Sequence, residues 1–178
     1  LLTDANLPAE TLEAMAAMAR EAGIPLAAIA ISPAKVVRLG KTLPALAFLF
    51  MNEAEARTLC GASPENPADW PDALRAVGLR AGVVTRGGRG VIAFDEKRAA
   101  QVVPPAIPAL GDVTGAGDSL ASGFLDAWLR GTPIDEALRH GVAAAVITVR
   151  SPLAVAEEMS QTALADALSL VPPAEILS

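Results

Sequence analysis

Three short groups of residues in this chain carry side chains and spacings that suit phosphoryl chemistry. The first is Gly111 to Leu129, GDVTGAGDSLASGFLDAWL, where a glycine-rich turn runs into an amphipathic helix with an acid at the joint. Gly115, Ala116 and Gly117 carry almost no side chain, and Asp118 falls in the first helical turn, with Thr114 the expected N-cap. Such a turn leaves backbone N–H groups free at the positive end of a helix dipole. An anion can approach that backbone closely because nothing covers it. A carboxylate beside such a nest suits a general base that takes a proton from a hydroxyl attacking phosphorus. The second group is Asn52-Glu53-Ala54-Glu55, in which Asn followed three residues later by Glu reads as a capping box. The third is Thr85-Arg86-Gly87-Gly88-Arg89-Gly90, a turn whose glycines suit positive φ. Arg86 or Arg89 is a candidate phosphate contact, set against the commoner reading of solvated arginines on a hairpin, and Lys35 further upstream is expected to face solvent.

Two better-known phosphate motifs are excluded. A dinucleotide fingerprint needs a third glycine where Leu120 stands and a strand directly before the turn, which disfavours an oxidoreductase. The Walker pattern needs a closing Gly-Lys-Ser/Thr, and the chain has none. One cysteine (Cys60) and one histidine (His140) argue against a His/Cys zinc site and against a disulfide. A net charge of −6 argues against nucleic acid and anionic membrane as partners. With 52% hydrophobic and 19% charged residues, and no apolar run of transmembrane length, the chain reads as a soluble, cytoplasmic globular protein.

The elements that must hold these groups follow from periodicity. Apolar runs at Leu1–Ala5, Leu26–Ile31 and Leu46–Met51 read as buried strands. Helices are expected over 9–22, 52–59 and 67–77, closed by Gly23, Gly61 and Gly78. Residues 35–42 read as a short basic helix or loop. Gly82–Arg86 and Gly90–Phe94 read as the strands of a hairpin, and Arg98–Val103 as a weaker strand. The helix after the glycine turn should bury Leu120, Phe124 and Trp128, widened by Ala121, Leu125 and Leu129. Thr132 should cap a following helix with Pro133 at its first position, and Ser160 a last one to Leu170. Alternation of strand and helix predicts an α/β layer on a largely parallel sheet.

The stretch GDVTGAGDSLASGF resembles the second signature of the ribokinase-like (PfkB) carbohydrate kinases. The resemblance implies that Asp118 is the catalytic base and that Gly115, Ala116 and Gly117 form the anion hole for a γ-phosphate. It implies a Mg²⁺- and phosphate-associated motif at Asn52 and Glu55, which is compatible with the capping box. Thr85, Gly87 and Gly90 match a hairpin lying over ATP, and His140 and Ala144 fall on the helix that lines the adenine pocket. Asp112 and Thr114 fall where the family often places a monovalent cation such as K⁺. The DANLP opening, Ser32 and Lys35 in ISPAKVVRL, and the VTGAGD variant look most like the pseudouridine-kinase branch. The implied fold is a three-layer α/β domain with a mostly parallel central sheet flanked by helices and a β-hairpin. Residues 1–178 would be its C-terminal, nucleotide-binding part, without the N-terminal sugar-binding region and lid. The chain departs from the family at 148–152, which lacks a glycine many relatives carry, and at the strand 26–31, which lacks the usual aspartate. The implied activity is ATP-dependent phosphorylation of a sugar or nucleoside hydroxyl, the complete protein pairing as a homodimer. A non-catalytic nucleotide-binding module is the alternative.

Overall fold

Short apolar runs become strands here because each is bounded by residues that cannot continue it. The computed structural model describes residues 1–106, 114–151 and 156–177. They divide into two compact units, one of Leu1–Thr85 with Phe94–Ala99 and one of Arg86–Ala93 with Ala100–Leu177.

The first unit alternates strand and helix: β1 (Leu2–Asp4), α1 (Ala9–Glu21), β2 (Ala27–Ile29), α2 (Pro33–Val36), β3 (Phe48–Asn52), α3 (Glu53–Cys60), α4 (Trp70–Ala76) and β4 (Gly82–Thr85). The strands run parallel in the order β1-β2-β3-β4, with Thr3 beside Ala28, Ala28 beside Leu49, and Leu49 beside Gly82. Their side chains are apolar toward both faces, as a covered parallel sheet requires: Ala28, Leu49, Val83 and Val84 are fully buried. α1 buries Leu12, Ala16 and Ala19, one stripe at helical spacing. Gly61 closes α3 in the left-handed region (φ 67°), a conformation that costs a residue with a Cβ. The expected elements of this half are all present, at most a few residues shorter than anticipated. The 35–42 segment resolves into the single turn α2 and a 3₁₀ turn over Val37–Leu39.

The second unit holds β5 (Val91–Phe94), β6 (Ala99–Val102), α5 (Ala116–Leu129), α6 (Ile134–Arg150), α7 (Gln161–Leu170) and β7 (Glu175–Leu177). β5, whose last residue Phe94 belongs to the first unit, neighbours β6, which neighbours β7. β7 was not anticipated, because three residues in PPAEILS carry too short a pattern to register. Three local expectations are corrected. Gly115, not Thr114, is the N-cap of α5: it sits at φ 81°, which an L-residue resists, and Thr114 lies outside the helix. Pro133 takes the N-cap position of α6, one residue after Thr132, without a side-chain cap. Ser160 does cap α7, accepting from the Ala163 N–H at 3.1 Å.

The third correction concerns which face of α5 is buried. Leu120, Ala121, Gly123, Phe124 and Ala127 are buried, Trp128 is half-buried, and Leu129 is 67% exposed. The face is rotated toward the small residues because α6 lies against them. A Cβ on Gly123 would come 2.8 Å from both the Ala144 Cβ and the His140 carbonyl oxygen; one on Gly141 would come 2.8 Å from the Leu120 carbonyl oxygen. The two glycines therefore set the helix separation. Among the described residues no helix is long and apolar enough to cross a membrane.

Gly141→Ala should destabilise the fold by about 1–3 kcal/mol, since the obstructing atom is backbone and cannot rotate away. Denaturant unfolding would test it, and a variant as stable as the parent would show that the helices separate without cost.

Candidate functional site

Because β1 to β4 are parallel, their C-terminal ends share one edge of the sheet, the edge at which open α/β sheets bind ligands. Asn52 ends β3 and pairs in register with Thr85, the last residue of β4. Two residues thirty-three positions apart in sequence thus become neighbours. The capping box is formed: the Glu55 N–H donates to Asn52 Oδ1 at 2.9 Å, and the Asn52 N–H donates to Glu55 Oε2 at 2.7 Å. Asn52 remains exposed while Glu55 is only 5% exposed. Burial pushes the Glu55 carboxyl above its ordinary range, and the hydrogen bonds from Asn52 pull more weakly the other way. A buried carboxylate in this state is one that a cation would stabilise.

The same edge brings together the two stretches singled out near the start of the chain. Lys35 Nζ donates to Asn6 Oδ1, and the Arg38 guanidinium donates to the Ala5 and Asn6 carbonyls at 3.1 and 2.9 Å. Lys35 is half-buried rather than solvated. Between them the backbone makes a tight turn, with Ile31 at φ 69° and the Ser32 N–H donating to the Ala30 carbonyl at 2.8 Å. A γ-turn of this hand is strained in a β-branched residue. Sequence reading missed the Lys35–Asn6 contact; the available signal was the β1-α1-β2 crossover, which makes the two loops adjacent.

In the second unit, the start of α5 has no side-chain cap, and its first intrahelical bond runs from the Ser119 N–H to the Gly115 carbonyl at 2.9 Å. The N–H groups of Ala116, Gly117 and Asp118 precede that bond and point out of the helix end. Gly115 is explained by its φ. Gly117 is not: a Cβ there would meet nothing within 4 Å. Its missing side chain leaves open backbone where an anion can approach. Asp118 is exposed and lines a cleft of about 480 Å³ together with Thr114, Gly115, Ser119, Ala144 and Met159.

The turn of α5 is fixed from behind. Thr148 is fully buried and its hydroxyl can donate to the Ala144 carbonyl at 3.3 Å. Ser119 Oγ and Thr148 Oγ1 share a hydrogen bond at 2.6 Å in which either hydroxyl can donate. Ala144 packs toward Gly123 and lines the cleft, whereas His140 is half-buried and does not line it. Asp112 lies outside the described residues. No group of three or more His, Cys, Asp and Glu able to hold a metal occurs among the described residues. A divalent ion would therefore need ligands beyond the protein's own, as Mg²⁺ has when phosphates share its coordination.

The Thr85–Gly90 segment is a tight turn closed by the Arg86 N–H donating to the Gly90 carbonyl at 2.9 Å. Gly87 and Gly90 stand at φ 58° and 116°. A Cβ on Gly90 would also meet Gln101 Nε2 at 3.1 Å and the Val102 carbonyl at 3.2 Å. Arg89 is exposed as expected, but Arg86 is buried.

Comparison with known proteins decides what these parts belong to. Residues 2–161 match the model of the pfkB family carbohydrate kinases. The chain belongs to that family. Among curated relatives, it is 37% identical over 95 residues to the cytidine kinase of Thermococcus kodakarensis, covering 53% of this chain and 34% of that one. It is 30% identical over 156 residues to the ribokinase of Haemophilus influenzae, covering 84% and 49%. The pseudouridine kinase of Escherichia coli is 27% identical over 181 residues, covering 100% and 56%. The chain thus spans about half the length, or less, of these relatives. A carbohydrate kinase from Agrobacterium tumefaciens superposes with a TM-score of 0.87 at 52% identity, over 99% of this chain and 56% of that one. The Arabidopsis thaliana ribokinase complexed with ribose and ATP gives 0.80 at 23% identity, over 94% and 55%. The fold is accordingly the ribokinase-like α/β fold that the pfkB resemblance implied.

The capping box yields a pH prediction. The folded pKa of Glu55 lies above its unfolded value, so the stability this group adds is complete below about pH 4.5 and is lost as pH rises through the folded value. Glu55→Gln keeps an acceptor but cannot ionise. Its stability relative to the parent should therefore increase as pH rises from below 4.5. Urea unfolding at a series of pH values measures this, and a pH-independent difference would remove the buried-carboxylate argument.

Proposed function

We propose that the full-length protein is an ATP- and Mg²⁺-dependent kinase that transfers a γ-phosphoryl group to a hydroxyl of a sugar or nucleoside. Residues 1–178 would form the nucleotide-binding part of its single kinase domain. The observation that carries the reading is the start of α5: an uncapped helix N-terminus with open backbone at Gly117 and an exposed acid, Asp118, lining a cleft. Family membership gives that arrangement its chemistry.

In this reading the Asp118 carboxylate accepts the proton of the acceptor hydroxyl. The hydroxyl oxygen forms a bond to the γ-phosphorus while the bond from that phosphorus to the ADP oxygen breaks. The N–H groups of Gly115, Ala116 and Gly117 stabilise the charge on the transferring group. They need no reorganisation, because the helix already orients them. Asn52 and Glu55 would hold Mg²⁺ by way of phosphate or water. Bound there, the ion would neutralise phosphate charge. Thr85, Gly87 and Gly90 would lie against the nucleotide, with His140 and Ala144 on the adenine side. Asp112 and Thr114 would take a monovalent cation such as K⁺.

For the acceptor, a nucleoside such as pseudouridine is the reading we favour over free ribose. It is supported by the contact between the DANLP and S-x-x-K stretches, through Lys35 and Asn6, and by similarity to the Escherichia coli pseudouridine kinase along the whole chain.

Asp118→Asn should lower kcat by roughly 10²–10⁴-fold while ATP affinity changes little. Steady-state assays on pseudouridine, cytidine and ribose, with calorimetry of ATP binding, would measure both. Near-parental turnover would strip Asp118 of the base role. ATP binding by the parent without phosphorylation of any acceptor would favour a nucleotide-binding module instead.

A further inference from the structure

Arg86 is a buried charged side chain that the proposed reaction leaves unused. It is 8% exposed, and its Nε is buried without a hydrogen-bond partner. No carboxylate pairs with its guanidinium among the described residues. Other buried or half-buried charged groups show what a merely structural arginine looks like here. Arg139 spends its guanidinium on Glu136 and on the Leu168, Val171 and Pro172 carbonyls. Arg75, whose Nε is likewise buried without a partner, is held through its other nitrogens by Asp72 and the Asp95 carbonyl and lies over the Phe94 ring. Even the half-exposed Arg38 bonds two carbonyls. Arg86 has none of these.

A guanidinium cannot shed its charge to escape burial. Leaving it desolvated and unpaired costs free energy that the fold does not recover from any neighbour. The backbone that follows it is uncovered. Gly87 and Gly88 are exposed and a Cβ on either would meet nothing within 4 Å. The turn that holds Arg86 is rigid: it is closed by the Arg86–Gly90 backbone bond and pinned by Gln101 and Val102 against Gly90. Gln101 Oε1 is a second buried polar atom without a partner in the same unit.

We propose that Arg86 is an anion-recognition residue whose guanidinium binds a phosphate group of a bound ligand. Resting on the kinase reading, it names Arg86 as a specificity determinant for the phosphate-bearing substrate. Guanidinium and phosphate match in geometry, each presenting a planar or tetrahedral fork to the other. The phosphate can come from two sources, the nucleotide or the phosphorylated acceptor.

The test compares full-length parent and Arg86→Met by calorimetry with ATP, adenosine, inorganic pyrophosphate and ribose 5-phosphate. Loss of the contact should weaken ATP and pyrophosphate by roughly ten- to a hundredfold and leave adenosine unchanged. The ligand-free melting temperature should not fall, since the variant removes an uncompensated buried charge. If ribose 5-phosphate alone is weakened, the anion site stands and its source is the phosphorylated acceptor. Equal affinities for every phosphate-bearing ligand would overturn the proposal. If Arg86→Met does not fold, Arg86→Gln is measured in its place and judged by the same outcomes. The two readings fail separately. Arg86-dependent pyrophosphate binding in a protein without kinase turnover sinks only the kinase reading. Turnover with unchanged phosphate affinities in the variant sinks only this one.

Discussion

The packing of α5 against α6 is the contact on which the proposed site in the second unit depends. Gly123 and Gly141 allow backbone to approach backbone, each facing atoms a methyl group would strike at 2.8 Å. That closeness brings Ser119 within 2.6 Å of the fully buried Thr148. The hydroxyl pair then fixes the rotation of the first turn of α5, and with it the direction of the open N–H groups and of Asp118. A helix N-terminus attracts anions wherever it lies. It becomes a site only when something stops it turning, and here that is a hydrogen bond between two small polar side chains on an otherwise apolar seam.

The first unit solves the same problem with a sheet. Parallel pairing brings every strand's C-terminal end to one edge, so residues far apart in sequence are neighbours without any direct contact being specified between them. Asn52 and Thr85 meet through register alone. Asn6 and Lys35 meet because β1 and β2 are adjacent and the loops that follow them share an edge. The local backbone bends to suit: Ile31 accepts a positive φ two residues after the end of β2. Strain of this sort is held by the well-paired strands on either side.

Among the described residues three charged side chains are buried: Glu53, which pairs with Arg57, and Glu55 and Arg86, which are buried at some cost. Glu55 offsets part of it through reciprocal bonds with Asn52, yet its carboxyl is still pushed upward by desolvation. Arg86 offsets nothing within the described chain. Groups of this kind concentrate where ligands of opposite charge arrive, because the ligand supplies what the fold withholds. The proposed roles of the two, a carboxylate toward a cation and a guanidinium toward a phosphate, follow that logic.

The residues alone determined most of the local elements. Asn52 and Glu55 read as a capping box, and that box is formed. Ser160 read as a cap and is one. Gly23, Gly61 and Gly78 read as helix stops and all stand at positive φ. Such features are legible because the interactions span three or four residues. Tertiary structure decided what depends on a distant partner. It turned Leu129 to solvent and Gly123 inward, because α6 rather than hydrophobicity set which face of α5 is covered. It gave the N-cap of α5 to Gly115 rather than Thr114, a choice made by φ and not by hydrogen-bonding capacity. It buried Arg86, which composition placed in water, and paired Lys35, which composition left free. Burial is a sum over neighbours brought in by the whole chain, and a side chain's own chemistry does not contain that sum.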